Sequence, residues 1–141
     1  MDIAKKPRCY VGIDKVGTKY YYVNKVLHRE EGPAVEYADG SKCWYKNGVF
    51  HREDGPATEY AGAYKEWYTN GKRHRDGGPA VEYTDGAKIW YKNGDLHRED
   101  GPAREIPGKY KGWYLNNKFY GENNDFTNES WGKFVKTLIF S

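Results

Sequence analysis

The chain has 141 residues, with 23 Lys and Arg against 20 Asp and Glu and a net charge of +3, a balance too even to announce a nucleic-acid binder. Only 38% of its residues are apolar, yet 17% are aromatic, with 14 Tyr and 5 Trp, so a core must be made of rings rather than Leu, Ile and Val. No stretch has the length of a membrane span and no early apolar run resembles a signal peptide. Cys9 and Cys43 form neither a disulfide framework nor a metal knuckle, which together predicts a reduced, cytoplasmic protein.

In chain order, residues 1–16 are expected to form an N-terminal strand or cap. Residues 17–121 carry four and a half copies of a 23-residue unit. His28, His51, His74 and His97 recur at that interval, as do Trp44, Trp67, Trp90 and Trp113, each followed by a Tyr. Gly-Pro-Ala recurs at Gly32, Gly55, Gly78 and Gly101. One full unit reads GPAVEYADGSKCWYKNGVFHRED and another GPAVEYTDGAKIWYKNGDLHRED. The terminal copies are atypical, as the ends of a stacked array must be: Tyr21 stands in the Trp position and Tyr120-Gly121 in the His-Arg position.

Within a unit, Ala34 to Ala38 predicts a strand and Asp39-Gly40 a two-residue primed turn. Ser41 to Lys46 predicts a second strand and Asn47-Gly48 a second primed turn, and Pro56 excludes a central strand. This register sets Val35 across from Trp44 and Trp44 across from His51. Val35, Tyr37, Trp44 and His51 would then share the core face, with Glu36, Cys43, Tyr45 and Phe50 opposite. Residues 122–141 predict a capping helix with Thr127 as N-cap and Phe126 and Trp131 as its hydrophobic staple. Trp131, Phe134, Val135, Leu138 and Ile139 fall on one helical stripe. The fold class is therefore all-β: a single elongated antiparallel sheet of stacked hairpin repeats closed by a C-terminal helix, in one domain.

These units resemble the MORN family in its bacterial and viral form, GPA-x-x-Y-x-(D)G-x-K-x-W-Y-x-NG-x-x-H-R-x-D, over roughly residues 17 to 121. The resemblance implies an elongated recognition scaffold. In eukaryotes such repeats are similar to protein-interaction and lipid-contact modules, while bacterial relatives include antitoxins and similar units occur in phage proteins. What it implies here is a stoichiometric inhibitor of a host defence factor or a toxin.

No enzyme, cofactor or metal is expected. Equivalent histidines in a ladder of paired hairpins lie about 10 Å apart, too far to share an ion. A motif copied at constant spacing also sets identical groups in a row, whereas catalysis needs different groups converging. Residues that recur serve the unit, so those that break the pattern are the contact candidates: Tyr64, Glu66, Lys72, Arg73, Ile89, Arg104 and Tyr110. They predict another protein as partner. The alternative is a choline or carbohydrate ladder on Tyr45, Tyr68, Tyr91 and Tyr114. Single-stranded nucleic acid is a third reading, disfavoured because Glu36, Glu59, Glu82 and Glu105 offset Lys42, Lys65, Lys88 and Lys111. Sheet edges leave a homodimer open.

Overall fold

The computed structural model describes residues 5–141, so the first four residues of the expected N-terminal cap lie outside the described residues. The chain opens with β1 (Cys9–Ile13), β2 (Lys19–Val23) and β3 (Val26–Leu27). The next unit gives β4 (Val35–Glu36), β5 (Lys42–Cys43), β6 (Tyr45–Lys46) and β7 (Val49–Phe50). The pattern repeats as β8 (Thr58–Tyr60), β9 (Tyr64–Glu66), β10 (Tyr68–Thr69) and β11 (Lys72–Arg73), then β12 (Val81–Tyr83), β13 (Lys88–Ile89), β14 (Tyr91–Lys92) and β15 (Asp95–Leu96). The last copy gives β16 (Arg104–Ile106), β17 (Tyr110–Leu115) and β18 (Lys118–Glu122), before α1 (Asn128–Ile139).

The main sheet runs in chain order, β1-β2-β4-β5-β8-β9-β12-β13-β16-β17-β18, with every pair antiparallel. The Trp-Tyr segment is interrupted at Trp44, so β6–β7, β10–β11 and β14–β15 form separate two-stranded hairpins. These hairpins are stitched to one another by backbone bonds such as Gly71 N–H to Phe50 C=O, 2.9 Å, and Gly94 N–H to Arg73 C=O, 2.9 Å. The stacked-hairpin architecture is as the repeat pattern predicts.

Register is where sequence and structure part. Asn47 and Gly48 both adopt positive φ, 51° and 83°, and Tyr45 pairs with Phe50; this is the two-residue primed turn expected. At the Asp-Gly tip only Gly40 is left-handed, at φ 90°. Asp39 instead turns its carboxylate onto the Ser41 N–H at 2.8 Å. Gly40 N–H reaches Tyr37 C=O at 3.0 Å, and Tyr37 N–H bonds to Ser41 C=O. The loop therefore has three residues, 38–40, a turn followed by a left-handed glycine.

One extra loop residue moves every side chain of the next strand to the other face. Val35 consequently pairs with Cys43 rather than Trp44, while Trp44 still faces His51 through the His51 N–H to Trp44 C=O bond. The expected core set is thus corrected. Val35, Tyr37, Cys43, Tyr45 and Phe50 lie on one side, here the Tyr face; Glu36, Lys42, Trp44 and His51 lie on the other, the Trp face.

The Trp face explains the recurring motif residue by residue. Arg52 lays its guanidinium 3.8 Å from the Trp44 ring centre, and Arg75 and Arg98 do the same on Trp67 and Trp90 at 3.9 and 3.8 Å. The same Arg52 donates to Pro56 C=O at 3.1 Å and to Glu59 at 3.2 Å. A Cβ at Gly55 would stand 3.0 Å from the Arg52 guanidinium carbon, so the glycine of Gly-Pro-Ala makes room for the arginine. Ala57 is fully buried and its carbonyl accepts from Trp44 N–H at 2.7 Å. His51 Nδ1 accepts from Asn70 N–H at 3.0 Å, tying one hairpin to the next; the histidine is structural in each copy.

Gly121 occupies the arginine position of the last copy, so no guanidinium covers Trp113. The helix does so instead. Trp131 and Phe126 lie 5.5 and 5.6 Å from Trp113, and the buried cluster Trp113, Leu115, Trp131 and Val135 is the largest apolar core among the described residues. Thr127 caps the helix through Ser130, and the Phe126–Trp131 staple forms at 5.0 Å. No described helix is long and apolar enough to cross a membrane. Cys9 and Cys43 are free thiols, the first exposed and the second buried.

Candidate functional site: the tyrosine face

Alternation along paired strands brings most of the tyrosines to one side of the sheet. Tyr10, Tyr20 and Tyr22 begin the face, with Tyr10 stacked on Tyr22 at 4.8 Å. Tyr60, Tyr64 and Tyr83 continue it as a contiguous row, with ring centres 4.8 and 5.4 Å apart. Tyr37 and Tyr83, at 38% and 41% exposure, present rings that the sequence reading would have put inside. Beside them runs a row of smaller residues in direct cross-strand register: Val35, Cys43, Thr58, Glu66, Val81, Ile89, Arg104 and Gly112.

The contact candidates separate on this map. Tyr64, Ile89, Arg104 and Tyr110 are half-buried on the Tyr face, and Arg104 lies 5.7 Å from the Tyr110 ring. Lys72 pairs with Thr69, is exposed, and alternates in direction with Arg73; it stands apart from the others. Glu66 is not a free surface residue. It is 6% exposed and accepts from Arg73 at 2.7–2.9 Å, from Thr58 Oγ1 at 3.2 Å and from Tyr68 Oη at 3.4 Å.

That cluster has a lesson in it. Positions holding Val35, Cys43 and Phe50 in one unit, and Val81, Ile89 and Leu96 in another, hold Thr58, Glu66 and Arg73 between them. Three departures that look independent in the chain are one hydrogen-bonded group in space. Thr58, fully buried, was not singled out by sequence reasoning; its coupling to Glu66 is visible only once the register is known.

Tyr45, Tyr68, Tyr91 and Tyr114 form the expected second row, but it is not an open ladder. Phe50 fills the space between Tyr45 and Tyr68, 4.5 and 4.9 Å from their centres. Arg73 bridges Tyr68 and Tyr91 at 5.7 and 5.4 Å. Burial raises the Tyr45 hydroxyl to about 12 and pushes Tyr37, Tyr60, Tyr64, Tyr68 and Tyr110 upward as well. The phenols are therefore neutral hydrogen-bonding groups at physiological pH.

The Trp face has the opposite electrostatics. Lys19, Glu36, Lys42, Glu59, Lys65, Glu82, Lys88, Glu105 and Lys111 lie in cross-strand register, each opposite the next. Each lysine row member sits against glutamates, so the basic row projects no field of one sign.

Comparison with known proteins finds no match: no family model, curated protein or solved structure is similar to this chain.

Proposed function

We propose that the chain is a non-enzymatic, MORN-like protein-binding module whose Tyr face occludes a partner protein stoichiometrically. The observation that carries the reading is the sorting of side chains. Twelve of the fourteen tyrosines, all except Tyr21 and Tyr120, share one face with Glu66, Arg73 and Arg104 as its pattern-breaking charges. Tyrosine gives a large, rigid, amphipathic contact at low entropic cost, and Tyr and Arg are common anchors of protein interfaces.

Size supports the same reading. Eleven strands at ~4.8 Å spacing give a face roughly 50 Å long. With a breadth of about 20 Å from the Tyr37 row to the Phe50 row, its area is on the order of 1,000 Å², against about 800 Å² per partner for a standard interface. The small-ligand ladder is less well supported, because Phe50 and Arg73 occupy the intervals a stacked ligand would need. A toxin or host defence factor as the partner rests on the family resemblance of the repeat.

The test is capture from bacterial lysates, infected and uninfected, on the wild-type protein, on Tyr37→Ser/Tyr83→Ser, and on Lys65→Gln. A single protein held at one-to-one stoichiometry in native mass spectrometry, lost with the tyrosine pair and kept with Lys65→Gln, is the expected result. Capture indifferent to the tyrosines, or a tyrosine and tryptophan fluorescence change saturating with choline or oligosaccharide alone, would overturn it.

A further inference from the structure

Along the Tyr face, ring and small residues alternate at one position: Ser41, Tyr64, Ala87, Tyr110. Where Ala87 stands, the surface has a shallow depression of about 250 Å³ bordered by Tyr83, Ile89, Arg104 and Ile106. That is below the ~300–1,000 Å³ of sites holding free small ligands, but suits one side chain of a docked protein. Its lining joins these apolar side chains to Asp85, Lys88, Arg104 and Glu105.

Arg104 is unusual in two ways. First, it occupies the row whose counterparts, Val35, Thr58 and Val81, are buried, with Gly112 directly across. A Cβ at Gly112 would meet Tyr110 Oη and Tyr114 Cε2 at 2.7 Å, so the glycine is what lets these rings fold over. Second, Arg29, Arg52, Arg73, Arg75 and Arg98 each pair with a glutamate at 2.7–3.2 Å. Among the described residues Arg104 and the exposed Arg8 have no carboxylate partner, and of the two only Arg104 is half-buried. The other charged residues lining the depression are engaged or matched: Asp85 accepts from Ala87 N–H at 2.9 Å, Glu105 accepts from Arg98 at 3.0 Å, and Lys88 lies across from Glu82 and Glu105.

A depression with Tyr83, Ala87, Ile89 and Ile106 in its lining, beside a half-buried cation without an ion-pair partner among the described residues, has a definite complement. Resting on the reading of the Tyr face as an interface, we infer that this depression is its anchor site and takes an apolar side chain of the partner protein flanked by an Asp or Glu that pairs with Arg104. The repeat itself supplies the test variants. Arg104→Val restores the residue of two other units, and Ala87→Tyr installs the ring of two others, so both are compatible with the fold; thermal melting followed by circular dichroism checks this.

Random dodecapeptides displayed on phage are panned against the wild-type protein, and the selected peptides are titrated by fluorescence anisotropy. The expected peptides carry Asp or Glu within two residues of Leu, Ile or Phe, and weaken at least about tenfold with either variant, the loss expected of an anchor, but not with Lys65→Gln. Peptides lacking an acid, or surviving both variants while lost with Tyr37→Ser, would overturn the anchor and leave the Tyr-face interface standing. No selected peptide, peptides indifferent to every Tyr-face variant, or Arg104-dependent binding of oligothymidine in their place would overturn both.

Discussion

The two faces of this sheet are made from the same units and behave as different materials. On the Trp face each arginine of the repeat is committed to a ring, a proline carbonyl and a glutamate at once, and each histidine to the next unit's backbone. The Tyr face holds neutral phenols, one internal ion pair, and the half-buried Arg104 guanidinium, which has no carboxylate partner among the described residues. A repeat can vary freely only where its own architecture makes no demand, and here most of the contact candidates that break the pattern lie on the Tyr face, with Lys72 the exception.

The largest effect is expected at the helix, which packs on Trp113 in the last unit. Trp131→Ala removes the ring packed on Trp113 and the Nε1–H bond to Arg98 C=O at 2.9 Å. It should cost about 3–5 kcal/mol, read from urea unfolding, with the emission of Trp113 shifting to the red. Next is the internal pair of the Tyr face. Arg73→Leu alone leaves Glu66 buried without its cation and should cost about 2–3 kcal/mol, less than a fully buried pair because Arg73 is 41% exposed. The triple change Thr58→Val, Glu66→Ile, Arg73→Leu reproduces the Val81, Ile89, Leu96 set and should regain that loss in full; continued destabilisation of the triple would show the three are not one unit.

A smaller effect is expected at the histidine stitch. His51→Ala leaves Asn70 N–H without its acceptor near the surface and should cost about 1 kcal/mol, without altering partner capture. The gentlest probe is pH. The Tyr45 hydroxyl moves from 10.0 to about 12 on folding, so the folded state holds a proton that the unfolded chain gives up first. Its contribution is complete below pH 10 and declines as pH rises toward about 12. Absorbance at the tyrosinate band, followed with circular dichroism, should therefore show late ionisation accompanied by unfolding, and neither at neutral pH.

Much of this was legible in the chain. The constant 23-residue interval, the Asn-Gly turn, the capped helix and its staple all appear in the structure as read. The Asp-Gly turn did not. Asp39 and Asn47 both precede glycine, but Asn47 itself adopts the left-handed conformation and Asp39 does not; the loop at 38–40 has three residues, as do those at 61–63 and 107–109, which have no Asp. That single difference exchanged Trp44 for Cys43 opposite Val35. It also reassigned the pattern-breaking positions: Ile89 and Arg104 became direct neighbours, and Glu66 moved into the interior.

The sequence by itself determined the periodicity, the all-β class and the terminal helix, because these follow from local signals that each unit repeats. Only the tertiary structure decided which side chains share a face and which charges are already answered. Those depend on strand register and on contacts between units, where one loop residue or one missing arginine changes every neighbour at once.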